Sequence, residues 1–180
     1  MNLLYCNNIN GEGSSIVSLA LIKAFLVDPT ERSVLVTSKR SVLSDYLLDL
    51  DGQVILDIFG FSLIHLSIRY PNNFHLMTPQ WTRNNIFATF VKLIFPVFLF
   101  QFEILTMDDY PFLQARKQVL FFQQSNLLDA YQLKWRLRKA LFYLLCISKP
   151  VVFLQTPFTE QQFKKNFPHL NTFSMVIDYD

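Results

Sequence analysis

The stretch NLLYCNNINGEGSSIVSLALIKAFLV, residues 2–27, decides the fold. A short apolar run, Leu3-Leu4-Tyr5-Cys6, gives way to an Asn- and Gly-rich turn, and then to a segment that is apolar almost throughout. That is the layout of a strand, a glycine turn and a helix, the opening unit of an α/β sheet.

The same alternation continues outward. Runs rich in Val, Ile, Leu and Phe at residues 33–37, 53–57, 74–77, 102–107, 118–123 and 151–155 read as strands, with the first at 2–6. Helices are expected at 14–27, 41–48, 79–95, 127–147 and 159–166. Several strand runs are apolar at consecutive positions, the pattern of strands covered on both faces. The expected fold is therefore α/β: a Rossmann-like open, mostly parallel sheet of about six or seven strands with helices on both faces. Residues 1–180 suit one such domain.

Composition narrows the function classes. Apolar residues make up 51% and charged residues 17%, too greasy a balance for a disordered chain. Sixteen Lys and Arg against 14 Asp and Glu leave a net charge of +2, which argues against nucleic acid as a partner, since phosphate neutralisation needs a stronger field. Cys6 and Cys146 have no C-x-x-C spacing and read as buried thiols of a reducing compartment. The N-terminus lacks a positive n-region, so a cytoplasmic location is expected, extending to the inner face of the membrane if the chain docks there. The most hydrophobic window, IFATFVKLIFPVFLF at 86–100, is interrupted by Lys92 and Pro96 and is expected to be a core helix rather than a bilayer span.

Ligands of such sheets bind at the carboxyl ends of the strands. The segments there are 7–15, 37–40, 106–111, 123–126 and 155–157. Gly11-Glu12-Gly13 begins a G-x-G-x-x-G fingerprint, but Ile16 stands at the third glycine position and no acidic residue ends the second strand, which argues against a dinucleotide; G-x-x-x-x-G-K-[ST] is absent. Asn7 and Asn8 stand where a receiver domain would need an acidic pair. Two readings of the turn remain: a helix N-terminus offering its N–H groups and the Ser14 and Ser15 hydroxyls to a phosphate or sugar, or a plain cap with turn glycines. Asp108 and Asp109 could act as base or as hydroxyl acceptor, or cap a turn before Pro111. His65, His75 and His169 are scattered without ligand spacing, and no metal or cofactor is expected. Lys134, Arg136, Arg138 and Lys139 surround Trp135, on a helix that either rests on an anionic membrane surface or is amphipathic with a solvated basic edge.

Three segments carry a resemblance: the N-terminal glycine turn and helix, DDYPFLQARKQVLFFQQSNLL at 108–128, and VVFLQTPFTEQQF at 151–163. Together they resemble the N-terminal domain of bacterial glycosyltransferases of the GT-B fold, family 4 type. In that family a strand ends in a pattern similar to F-Q-Q-N-R-L-L, and a later one ends in Q-T-P before a helix. Phe122-Gln123-Gln124 and Leu127-Leu128 match, while Ser125 and Asn126 stand where the pattern has Asn and Arg.

The resemblance implies a domain that binds a sugar or glycolipid acceptor, with a substrate-binding cleft lined by Asn10, Gly11, Glu12, Gly13, Ser14, Asp109, Gln123, Gln124 and Asn126, the glycine turn facing the donor phosphates or the transferred sugar. It implies a nucleotide-sugar donor only with a separate C-terminal domain, which in that family carries two glutamates separated by seven residues. Glu12, Glu31, Glu103 and Glu160 have no such spacing, so the chain is expected to lack the donor half and to be inactive alone, and no catalytic residue is assigned. The alternatives are a non-enzymatic α/β binding module and a peripheral membrane protein using Lys134, Trp135, Arg136, Arg138 and Lys139.

Overall fold

Strands Asn2–Cys6 (β1) and Ser33–Ser38 (β2) lie in parallel, joined by the helix Glu12–Val27 (α1), as the opening stretch requires. The computed structural model describes residues 2–7, 12–27, 32–50, 52–66, 70–83, 90–93, 103–107, 110–113, 115, 117–122, 127–128 and 132–174. Its further strands are Gln53–Ile58 (β3), Phe61–His65 (β4), Asn73–Thr78 (β5), Glu103–Thr106 (β6), Lys117–Phe122 (β7), Val151–Leu154 (β8) and Thr172–Ser174 (β9). All join one sheet in the order β3-β4-β5-β2-β1-β6-β7-β8-β9. From β5 to β9 every neighbouring pair is parallel; β4 alone runs against its neighbours. The protein is an α/β domain with a mostly parallel open sheet.

The register shows how both faces are used. Leu4 pairs with Leu105 and Leu105 with Val119, so these three share a face, and Leu120, one residue on, points to the other. Leu4, Cys6 and Leu35 pack on the first face with Val17, Ile22 and Leu26 of α1 and with Leu43 and Leu47 of the helix Val42–Leu48 (α2). Leu120, Phe122, Val152 and Leu154 pack on the second with Phe142 of the helix Leu133–Leu145 (α3) and Phe163 of the helix Pro157–Asn166 (α4).

Helix starts follow local chemistry. Ser41 and Ser44 cap α2 reciprocally, each hydroxyl 3.1 Å from the other's backbone nitrogen. Thr156 caps α4 through the Thr159 amide at 3.1 Å, with Pro157 at the first helical position. Gln132 at the start of α3 makes no side-chain cap, and the helix begins at Leu133 rather than at the expected Leu127. The expected helix at 79–95 is described only as a 3-10 turn, Gln80–Arg83, and a helical piece at 90–93; the remainder, and most of the hydrophobic window at 86–100, lies outside the described residues. Among the described residues no helix is long and apolar enough to cross a bilayer.

Two strands exceed expectation. β4 folds back on β3 through Phe59 (φ 51°) and Gly60 (φ 83°), a two-residue turn whose positive φ angles match strand twist. β9 adds a short opposite edge. The run at 53–57 is indeed a strand, but an edge strand exposed along its whole length, so its consecutive apolar residues do not mark burial on both faces.

Both cysteines are buried and neither is in a disulfide. Burial pushes the Cys146 thiol up to about 12 from 9.0, so about a thousandfold less thiolate forms than at an exposed cysteine. Peptide-resolved alkylation at pH 8 should therefore find Cys146 protected in the folded protein and reactive in urea. Labelling of the native protein at the free-thiol rate would contradict this placement.

Candidate functional site at the carboxyl edge of the sheet

The chain leaves β1 toward β2 on one side and later returns to form β6 on the other, so the topological switch point lies between β1 and β6. In open α/β sheets the crevice beyond the carboxyl ends at that point is the ligand site. β1, β6 and β7 are consecutive parallel neighbours, so the segments leaving Cys6, Thr106 and Phe122 emerge at one edge.

Side chains on both sides of the switch point are tied into the protein. Asn7, buried just past β1, approaches Thr82 Oγ1 with Nδ2 at 3.2 Å and accepts at Oδ1 from Thr78 Oγ1 at 2.5 Å. Thr82 Oγ1 lies 2.9 Å from Thr78 Oγ1 and 2.7 Å from the Pro79 carbonyl, and Thr78 Oγ1 lies 3.2 Å from the Thr37 carbonyl. This network fastens the end of β1, from which the glycine turn departs, to the end of β5 and the turn after it. The Asn7 amide is thus used within the protein. The sequence signal was an Asn directly ahead of a glycine turn, but its partners are more than 70 residues away.

Lys92 holds the other side. It is only 2% exposed, and its Nζ donates to the Tyr110 carbonyl at 2.7 Å. The ammonium also lies 5.5 Å from the Tyr5 ring centre and 5.9 Å from those of Tyr110 and Phe112, a cage of negative ring faces that compensates a buried cation. The Met107 amide bonds the Tyr5 carbonyl at 2.9 Å. Both flanks of the 108–109 segment are therefore anchored, one directly to β1 and the other through Lys92.

Ser38, at the end of β2, is different. Its hydroxyl is buried and makes no hydrogen bond among the described residues, although its carbonyl accepts from Ser41 Oγ at 2.9 Å. An unpaired buried hydroxyl costs about 1–3 kcal/mol. Lys39 and Arg40 follow it, Arg40 exposed and in the left-handed region at φ 60°. His75 lies deeper, with Nε2 2.7 Å from Thr37 Oγ1 and Nδ1 unpartnered. Burial drives its pKa down to about 4, so the ring is neutral at physiological pH. His65 bonds the Pro71 carbonyl at 2.8 Å, and His169 stacks on Tyr143. Among the described residues no three His, Cys, Asp or Glu side chains come together as a metal would require.

Of the residues expected to bind acceptor, Asn10, Gly11, Asp109, Gln123, Gln124 and Asn126 lie outside the described residues. Glu12, Gly13 and Ser14 form the first turn of α1. Of the five expected at a membrane surface, Lys134 and Arg136 are exposed, and Trp135, Arg138 and Lys139 are half-buried. Trp135 packs against the second core, with Arg138 4.8 Å and Lys134 5.4 Å from its ring centre; Lys139 bonds Asn166.

Two cavities lined by described residues lie elsewhere. One of about 550 Å³ opens at the amino ends of β6, β7 and β8, where Glu103 and Lys117 pair with each other in solvent. A second, of about 240 Å³, is walled by Leu21, Leu105, Val119, Phe121 and Phe153 on the face that carries α1. Neither lies at the carboxyl ends of the strands, where the ligands of open α/β sheets bind.

No family model matches the chain, and neither the curated proteins nor the solved structures contain a match to it.

Proposed function

We propose that this domain binds the acceptor in a sugar transfer from a nucleotide-sugar donor, the donor being presented by a second domain. The observation that supports this reading is the parallel arrangement of β1, β6 and β7, whose last described residues, Cys6, Thr106 and Phe122, end at one edge of the sheet beside the switch point. The resemblance to GT-B glycosyltransferases resides in the segments that follow these strands in sequence, and Thr156-Pro157 of its Q-T-P element caps α4 at the same edge.

The test is an NMR titration of the isotope-labelled protein with short oligosaccharides and with nucleotide sugars. Support consists of oligosaccharide-induced shifts at Asn7, Ser38, Met107 and Tyr110. The variant Ser38→Ala should melt at the wild-type temperature or slightly above, because it removes an unsatisfied buried hydroxyl. Nucleotide-sugar turnover by these 180 residues alone would overturn the two-domain assignment, and shifts confined to the amino ends of the strands would overturn the site.

A further inference from the structure

α3 presents its wrong face to solvent. Phe142, Leu145 and Cys146 are buried against the sheet and α4, as an amphipathic helix requires. On the opposite side Leu133 (72% exposed), Leu137 (65%), Leu144 and Ile147 are exposed. Their spacing of four, seven and three residues puts them on a single stripe, with exposed Ala140 between them. At about 1.5 Å per residue the stripe is about 20 Å long. Lys134 and Arg136 flank it, Arg138 and Lys139 lie at the buried margin, and the segment 133–149 contains no acidic residue and ends in exposed Lys149.

We infer that this outer face of α3 docks the protein on an anionic lipid surface, the helix lying in the plane of the interface with its leucines among the acyl chains and its cations at the headgroups. Charge decides between occupants. A second copy laid face to face on the stripe would bring two acid-free sets of cations together, and a nucleic acid has no use for a row of leucines; anionic lipid satisfies both halves of the pattern. The arrangement differs from a surface led by Trp135, whose ring is turned toward the core under its own cations. α3 follows β7 and α4 follows β8, so both helices start from the carboxyl edge of the sheet, and a docked α3 would hold that edge close to the lipid. The inference does not rest on the sugar-transfer reading.

Flotation with vesicles tests it, using phosphatidylcholine alone and phosphatidylcholine mixed with phosphatidylglycerol. The protein should float with the mixed vesicles at low salt, sink at high salt, and ignore the neutral ones. Lys134→Gln with Arg136→Gln should weaken binding about 30-fold. Leu133→Gln with Leu137→Gln and Leu144→Gln should weaken it about a hundredfold. Both variants alter exposed side chains only, so their melting temperatures should match the wild type, which separates lost docking from lost folding. Failure to float on anionic vesicles at low salt overturns the inference. So does binding indifferent to the leucine substitutions, or a leucine-dependent dimer in sedimentation velocity from a protein that does not float.

Discussion

Phe142→Ala should lower the free energy of unfolding by about 3–5 kcal/mol, the range for emptying a buried phenylalanine site. The ring is fully buried and sits at the centre of an aromatic cluster, its centroid 4.9 Å from Phe167, 5.6 Å from Phe122, 6.0 Å from Phe163 and 6.3 Å from Tyr110. These neighbours come from β7, α4 and the segment after β6, so one side chain fastens α3 to three other parts of the fold. Edge-to-face pairs add to the area term, and the cavity left behind cannot collapse without moving a helix. Urea unfolding followed by circular dichroism measures the loss. Phe158→Ala is the control, because that ring is 70% exposed, and its cost should stay within about 0.5 kcal/mol. A loss below 1 kcal/mol at Phe142 would mean that α3 is not seated on the second face of the sheet.

Acidification should expose the second large effect. His75 has its folded-state pKa depressed from 6.5 to about 4 by burial, so the unfolded chain takes up a proton that the folded one resists. The neutral ring's contribution to stability is complete above the unfolded value and is lost as pH falls from 6.5 toward 4. The full shift is worth about 3 kcal/mol, of which about 2 kcal/mol is gone by pH 5. Glu103 and Glu160 are held below the usual carboxylate range by their bonds to Lys117 and Lys164, so their contributions disappear only at lower pH. Urea midpoints between pH 7.5 and 5 therefore isolate the histidine. His75→Gln should be less stable at pH 7.5, through the altered bond to Thr37, yet should lose much less on acidification; wild type and variant with the same slope would refute the assignment.

Local patterning was enough for seven strand positions, for the helices opened by Ser41 and Thr156, and for the inference that most strands run parallel, because alternation of short apolar runs with helical segments leaves few other ways to cover a sheet. It was not enough at the margins. β4 was missed because a lone Gly60 in IFGF is a weak turn signal, and the left-handed Phe59 beside it is a conformation that only the closed hairpin imposes. β9 has three residues, too short for any period to register. β3 has the apolar composition of an interior strand, yet strand order puts it at an edge, and composition carries no information about order.

The candidate site divides along the same line. That β1, β6 and β7 end at one edge follows from parallel strands and could be read in advance. Which polar groups remain for a ligand could not: Asn7 is used by Thr78 and Thr82, and Lys92 by Tyr110 and three rings, while Ser38 is left unpaired. On α3 the residue types announced an amphipathic basic helix, but the seating of Phe142 decided that the leucines face outward and Trp135 inward. The sequence by itself determined most of the elements and the largely parallel assembly, since these depend on neighbours a few residues apart. Only the tertiary structure decided which polar groups and which apolar faces are left over, because each is settled by partners from distant parts of the chain competing for the same buried space.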